Sequence, residues 1–180
     1  MGGADKALLS LGGRPLLAHL IARLAPQAQA LAISANGDLA RFADFGLPVF
    51  ADEHAMGPLA GILAALRYGR AQGFTQIVSV PVDSPFVPLD LVARLSRERL
   101  AYAKAGRAHY ATAIWPVDLA DELAAFLASG AEPRIFDFAA RHGATAVEFD
   151  SAEAFDNLNS MADLAAAEAR LAASQKGGAA

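Results

Sequence analysis

The sequence predicts an α/β domain built on a parallel sheet, and three observations predict it. Short apolar or β-branched runs alternate with segments whose apolar residues repeat at helical spacing. That strand, helix, strand, helix, strand rhythm gives parallel strands joined by right-handed crossovers. The stretch Thr75–Pro88 is a β-branched run too short for a typical helix, and it ends in Pro81, Pro85 and Pro88 with Asp83 among them. It reads as a buried parallel strand delivering Asp83 to its C-terminal edge, where open α/β sheets bind ligands. Finally, 180 residues with 54% hydrophobic and 19% charged composition suit one globular domain with a sizeable core.

Pro81 and Pro85 remove two backbone donors and restrict their neighbours, so the turn carrying Asp83 is stiff. A stiff carboxylate suits a metal ion; the alternative is that Asp83 caps the following turn. A formal net charge of −4 without a concentrated Lys/Arg run argues against a nucleic-acid surface and leaves room for a small basic pocket. The absence of cysteine excludes a disulfide framework, a Cys zinc site and a thiol nucleophile. No apolar run reaches membrane-spanning length and no signal-peptide pattern opens the chain, so a soluble cytoplasmic protein with a small-molecule partner is expected.

The opening Gly2, Gly3 and Lys6 have the residue types of a phosphate-holding loop, in which glycine backbone N–H groups and a mobile ammonium face an anion; a frayed terminus gives the same pattern. Pro15 starts a helix with Leu16, Leu17, Leu20, Ile21 and Leu24 at helical spacing. Ala30–Ser34 is a buried strand running into Asn36-Gly37, where Asn36 either reads a base or ribose or serves the turn. A short helix over Leu39–Phe45 leads to the strand Leu47–Phe50, which ends at Asp52. Gly57, Pro58 and Leu59 open a helix with a stripe at Leu59, Ile62, Leu63 and Leu66; Gly57 and Gly61 permit close approach of a ligand or of the sheet.

Leu89–Tyr102 reads as an amphipathic helix and His109–Trp115 as a strand whose inner face the alternation leaves undecided. His109 either contacts a substrate phosphate or is structural. Helices are expected over Asp118–Leu127 and from Ala131-Glu132-Pro133-Arg134 onward, with Arg134 reaching an anionic ligand or facing water. Thr145–Phe149 returns to the sheet. Asn157 and Asn159 bracket Leu158, so an extended segment points both amides the same way. Ser160 and Asp163 are close to a capping box before a last helix from Met161 to about Ala172. Residues 1–172 form a single domain in this reading, and 173–180 a disordered tail.

The series Gly2-Gly3-x-Asp5-Lys6-x-Leu8-Leu9, Gly13-x-Pro15-Leu16-Leu17, Ser34-Ala35-Asn36, Gly57-Pro58-Leu59-Ala60-Gly61, Pro81-x-Asp83-x-Pro85-Phe86 and Asn157-x-Asn159 closely resembles the molybdenum cofactor guanylyltransferases of the nucleotidyltransferase superfamily. The resemblance runs from Met1 to about Leu171. It implies a Rossmann-like three-layer fold, a mostly parallel sheet with helices on both faces, and transfer of GMP from GTP to molybdopterin with release of pyrophosphate. By the same resemblance Asp83 holds Mg²⁺ and Lys6 neutralises GTP phosphates. Gly2, Gly3, Asn36, Asp52, Gly57, Pro58 and Leu59 lie around the GTP; Asn157, Asn159, Arg134 and His109 lie toward the pterin. A monomer is expected, with other cofactor-assembly proteins and molybdoenzymes as partners. Val82 stands where the family often has cysteine.

Family members carry a first strand and a Leu-Ala-Gly-Gly-x-x-x-Arg stretch before the Met-Gly-Gly that opens this chain. The resulting expectation is that the chain as written folds poorly or binds GTP weakly beside a version extended upstream; equal affinity and turnover in the two would refute it. Two other readings stand beside guanylyl transfer. One is a cytidylyltransferase acting on the same pterin, and the other a non-catalytic module that binds molybdopterin or an assembly partner.

Overall fold

A computed structural model describes residues 5–51, 57–129 and 134–177. Strands β1 (Ser10–Leu11) and β2 (Arg14–Pro15) make a small hairpin leading into α1 (Leu16–Leu24). Strand β3 (Ile33–Ser34) pairs in parallel with β4 (Val49–Phe50), and α2 (Pro58–Ala71) crosses to β5 (Gln76–Ser79). The chain continues through α3 (Leu91–Leu95), β6 (Ala101–Ala105), β7 (Arg107–Pro116), α4 (Ala120–Ala128), α5 (Ile135–Arg141), β8 (Thr145–Glu148) and α6 (Met161–Gly177). Short 3₁₀ helices stand at Lys6–Leu8, Leu39–Phe45, Val117–Leu119 and Ala152–Phe155. Helix α6 extends beyond the expected end near Ala172, into the stretch read as a tail.

The larger sheet has the order β5-β7-β6-β8. β5, β6 and β8 point one way and β7 runs against them. Its direction follows from the connection: β6 and β7 are joined through Gly106 alone (φ 67°), and a turn that short permits only an antiparallel hairpin. Helices cover both faces. Leu59, Ile62, Leu63 and Leu66 of α2 pack with Leu123, Leu127 and Phe138 against Ala113 and Trp115. On the other face Leu20, Leu91 and Leu95 pack with Phe149 and Phe155 against Ala101, Ala103, Ala105 and Ile114. The architecture is the three-layer α/β arrangement, with one reversed strand inside an otherwise co-directional sheet.

The helix expected over Leu89–Tyr102 is corrected to a five-residue helix followed by a strand. Ser96 closes α3, and Ala101, Ala103 and Ala105 are buried alternately with Tyr102 and Lys104. Alanine favours helix on intrinsic propensity, yet burial between β7 and β8 selects the extended form. The undecided face of β7 also has a cause. Its register with β6 jumps from Tyr102↔Ala113 to Ala103↔His109, so the strand changes face across the irregularity.

Gly69 marks the closest approach of α2 to the sheet. A Cβ built there would lie 2.5 Å from Ile77 Cγ2 and 3.4 Å from Val117 Cγ1. The β-branched Ile77 side chain cannot swing clear without leaving its preferred rotamer. Gly69→Ala is therefore expected to destabilise by about 1–3 kcal/mol from overpacking, despite the roughly 1 kcal/mol alanine gains in a helix. Urea unfolding checks it, and a stabilised variant would show that α2 rides higher on the sheet than described.

Candidate active site

The site is assembled where β5 runs out. Ser79 Oγ donates to the Ala111 carbonyl at 2.8 Å and accepts from Trp115 Nε1 at 2.9 Å, pinning the strand end to β7. Val80, Pro81 and Val82 then carry the chain to Asp83, and Ser84 N closes the turn on the Pro81 carbonyl at 3.2 Å. The carboxylate of Asp83 is largely hidden, at 18% exposure against 38% for the side chain of Lys6. Its Oδ2 lies 3.4 Å from Lys6 Nζ, while Oδ1 is buried with no hydrogen-bond partner among the described residues. A buried carboxylate oxygen left in that condition has acceptor capacity open to water, an ion or a ligand.

Lys6 is held from both sides. Asp5 caps its 3₁₀ turn through Ala7 N at 3.0 Å, and the other Asp5 oxygen accepts from Arg41 Nε at 2.7 Å. Arg41 also donates to the carbonyls of Asp38 and Asn36, tying the Lys6 segment to the loop after β3. Beyond Asp83, Leu158 N donates to the Asp83 carbonyl at 2.8 Å and Ser84 Oγ to Asn157 Oδ1 at 2.9 Å. Asn159 Oδ1 accepts from Lys6 Nζ at 2.5 Å. Buried Leu158 anchors the segment in the core, so three consecutive residues are stitched to Asp83, Ser84 and Lys6. The capping box closes that segment: Asp163 accepts from Asn159 N and Ser160 N and donates its own N–H to Ser160 Oγ. Those bonds, Ser160's foremost, hold the Asp163 carboxyl below its usual range.

The structure thus brings Lys6, Asp83, Asn157 and Asn159 into one cluster at the C-terminal edge of the sheet. Asn36 sits at the equivalent end of β3 and joins the cluster through Arg41. Gly57 adopts φ 76° ahead of Pro58, which begins α2; the Leu59 side chain lies in the core. Gly2, Gly3 and Asp52 lie outside the described residues. Arg134 is 78% exposed and pairs with Asp137 at 3.1 Å. Sequence reasoning missed Asp5, Arg41 and Ser84. An aspartate directly before Lys6 and a serine directly after Asp83 were the available signals; nothing local marks Arg41.

His109 stacks on Phe155 with ring centroids 4.9 Å apart, and its Nε2 is buried without a partner among the described residues. Burial, then the charge of Arg107, holds its pKa below the ordinary value, against the Ala105 carbonyl and Asp156. A lowered folded-state pKa means that the unfolded chain takes up the proton first. Stability is then unaffected above the unfolded value near 6.5 and falls as pH drops from there toward the folded value. His109→Gln is expected to flatten the loss of thermal midpoint between about pH 7 and 5. Parallel midpoint curves for variant and parent would contradict it.

No three His, Asp or Glu side chains cluster for a metal among the described residues. Among the described residues Asp83 thus belongs to no three-ligand group, and its carboxylate would suit an ion completed by water and substrate phosphates. A partly exposed ammonium beside such a carboxylate suits phosphate recognition and charge neutralisation.

Residues 1–145 match the model of the MobA-like NTP transferase domain family. A protein of Cereibacter sphaeroides named molybdenum cofactor guanylyltransferase is 55% identical over 175 residues, covering 95% of this chain and 90% of the relative. One of the same name from Acidiphilium cryptum is 49% identical, covering 94% and 88%. The crystal structure of molybdopterin-guanine dinucleotide biosynthesis protein A from Archaeoglobus fulgidus superposes with a TM-score of 0.75 at 22% identity, covering 95% of this chain and 92% of that one. At 18% identity the 2-C-methyl-D-erythritol 4-phosphate cytidylyltransferase of Thermus thermophilus shares the fold with a TM-score of 0.71, covering 93% and 94%. The family model covers most of the chain and the relatives align over nearly all of it: the chain belongs to the molybdenum cofactor guanylyltransferases of the MobA-like NTP transferase family.

Proposed function

We propose that the protein transfers GMP from GTP to the terminal phosphate of molybdopterin at the Lys6–Asp83–Asn159 cluster. A pterin phosphate oxygen forms a bond to the α-phosphorus of GTP, the bond from that phosphorus to the bridging oxygen breaks, and pyrophosphate leaves. The observation that carries this reading is the contact of Lys6 with both Asp83 and Asn159 beside an unpartnered Asp83 oxygen. Direct displacement needs charge neutralisation and alignment rather than a protein nucleophile. Lys6 supplies positive charge to the triphosphate, and Asp5 and Arg41 keep its backbone in place. Asp83 would hold Mg²⁺, which when bound offsets negative charge on the phosphate oxygens.

In this reading Asn36, in the loop after β3, serves the guanine nucleotide, with Asp52, Gly2 and Gly3 assigned there by resemblance. Toward the pterin, Asn159 can release Lys6 and turn its amide to the substrate. Asn157 has its oxygen engaged by Ser84, so its NH₂ is the group left for a ligand. The protein acts as a cytoplasmic monomer in this reading; among the described residues no helix is long and apolar enough to cross a membrane. The test is pyrophosphate release with molybdopterin and equimolar GTP and CTP, followed by nucleotide analysis of the product. A guanine dinucleotide is expected. A cytosine dinucleotide would replace this reading with cytidylyl transfer, and binding of pterin without turnover would make the protein a carrier.

A further inference from the structure

A cavity of about 370 Å³ lies between α1, the loop after Asp83, the Ala152–Phe155 turn and the later part of α6, walled by Arg23, Phe86, Pro88, Ser151 and Arg170 among others. Two guanidinium groups face one ring there: Arg170 stands 4.6 Å and Arg23 6.0 Å from the centroid of Phe86. Like charges brought this close repel, and burial together with the charge of Arg170 lowers the pKa of Arg23. Arg170 is held by the Glu153 carbonyl at 3.0 Å and by the carboxylates of Glu153 and Asp156, each at 3.8 Å. Arg23 donates to the Val87 carbonyl at 3.0 Å and has no carboxylate partner among the described residues.

We propose that this cavity is a second anion site, separate from the Lys6–Asp83 cluster, which takes the phosphate group of a small molecule. Its volume falls in the range of small-ligand pockets. The guanidinium fork of Arg23 matches a phosphate in bidentate geometry, Ser151 adds a hydroxyl, and Phe86 and Pro88 supply an apolar wall. Arg170 lies about 15 Å further along α6 than Ser160, while Phe86, three residues from Asp83, packs with Leu158. The cavity is therefore linked to the cluster. Asp156, which shares Arg170, directly precedes Asn157, so an anion that draws Arg170 inward loosens the hold on the segment presenting Asn157 and Asn159.

The test is a titration of the protein with inorganic phosphate, pyrophosphate and acetate, followed by the side-chain Nε–H NMR signals of Arg23 and Arg170. A saturable shift at both arginines is expected with phosphate or pyrophosphate, weakened at least tenfold in Arg23→Gln and unchanged in Lys6→Ala. Tighter binding of pyrophosphate identifies a diphosphate ligand, and equal binding a monophosphate. Backbone amide spectra report whether Arg23→Gln keeps the fold, and the Arg23 signal in the parent protein tests the site without any substitution. The proposal is overturned by the absence of a saturable shift at Arg23, by loss of the shift in Lys6→Ala with retention in Arg23→Gln, or by acetate binding as tightly as phosphate.

Discussion

Asp83→Asn is expected to lower kcat/KM for guanylyl transfer roughly 10³-fold, because it removes several kcal/mol of charge stabilisation at about 1.4 kcal/mol per decade. The fold should survive. Asparagine is isosteric with aspartate, and the link from Leu158 N to residue 83 uses the backbone carbonyl. Lys6 can still donate to an amide oxygen in place of Oδ2. What is lost is the negative charge and the second acceptor at Oδ1, which has no partner among the described residues. The variant should therefore keep its thermal midpoint within a few degrees and lose its response to Mg²⁺. Turnover within tenfold of the parent would mean that Asp83 merely caps its turn.

Lys6→Ala has the second largest expected effect, a fall of about 10²–10³ in kcat/KM for GTP, the scale of removing one group that stabilises transition-state charge. Lys6 is partly exposed and contacts Asp83 and Asn159, so its loss leaves both without their cation and costs little core packing. Lys6→Arg should recover only part of the rate, since the planar guanidinium cannot occupy the position of a point charge between Asp83 and Asn159. Steady-state kinetics at saturating molybdopterin separates the cases. Full activity in Lys6→Ala would place triphosphate recognition elsewhere.

Much of this site was legible because local pattern coincided with tertiary role. The apolar stripe of α2 pointed to its buried face, and Asp83 emerged just beyond a strand end. Strand β5, expected to be buried and parallel, is only half-buried and pairs antiparallel with β7 among the described residues. The alternation of Asn157 and Asn159 about Leu158 agrees with the geometry: Leu158 goes into the core, Asn157 contacts Ser84 and Asn159 contacts Lys6. Strand β6 was hidden because alanine supplies its buried face and says little about period or conformation. The face of β7 was hidden by a register jump that depends on its neighbour, which no window on one strand contains. Asp5 to Arg41 spans 36 residues, and only folding makes that pair a tether for Lys6.

The central claim is direct guanylyl transfer at the Lys6–Asp83–Asn159 cluster. The most direct measurement follows GTP labelled at the α-phosphate, incubated with the protein and molybdopterin, and asks where the label resides. The account predicts label in the pterin dinucleotide, one pyrophosphate released per label transferred, none bound covalently to protein, and loss of transfer in Asp83→Asn. Label retained on the protein, or transfer undiminished in that variant, would contradict it.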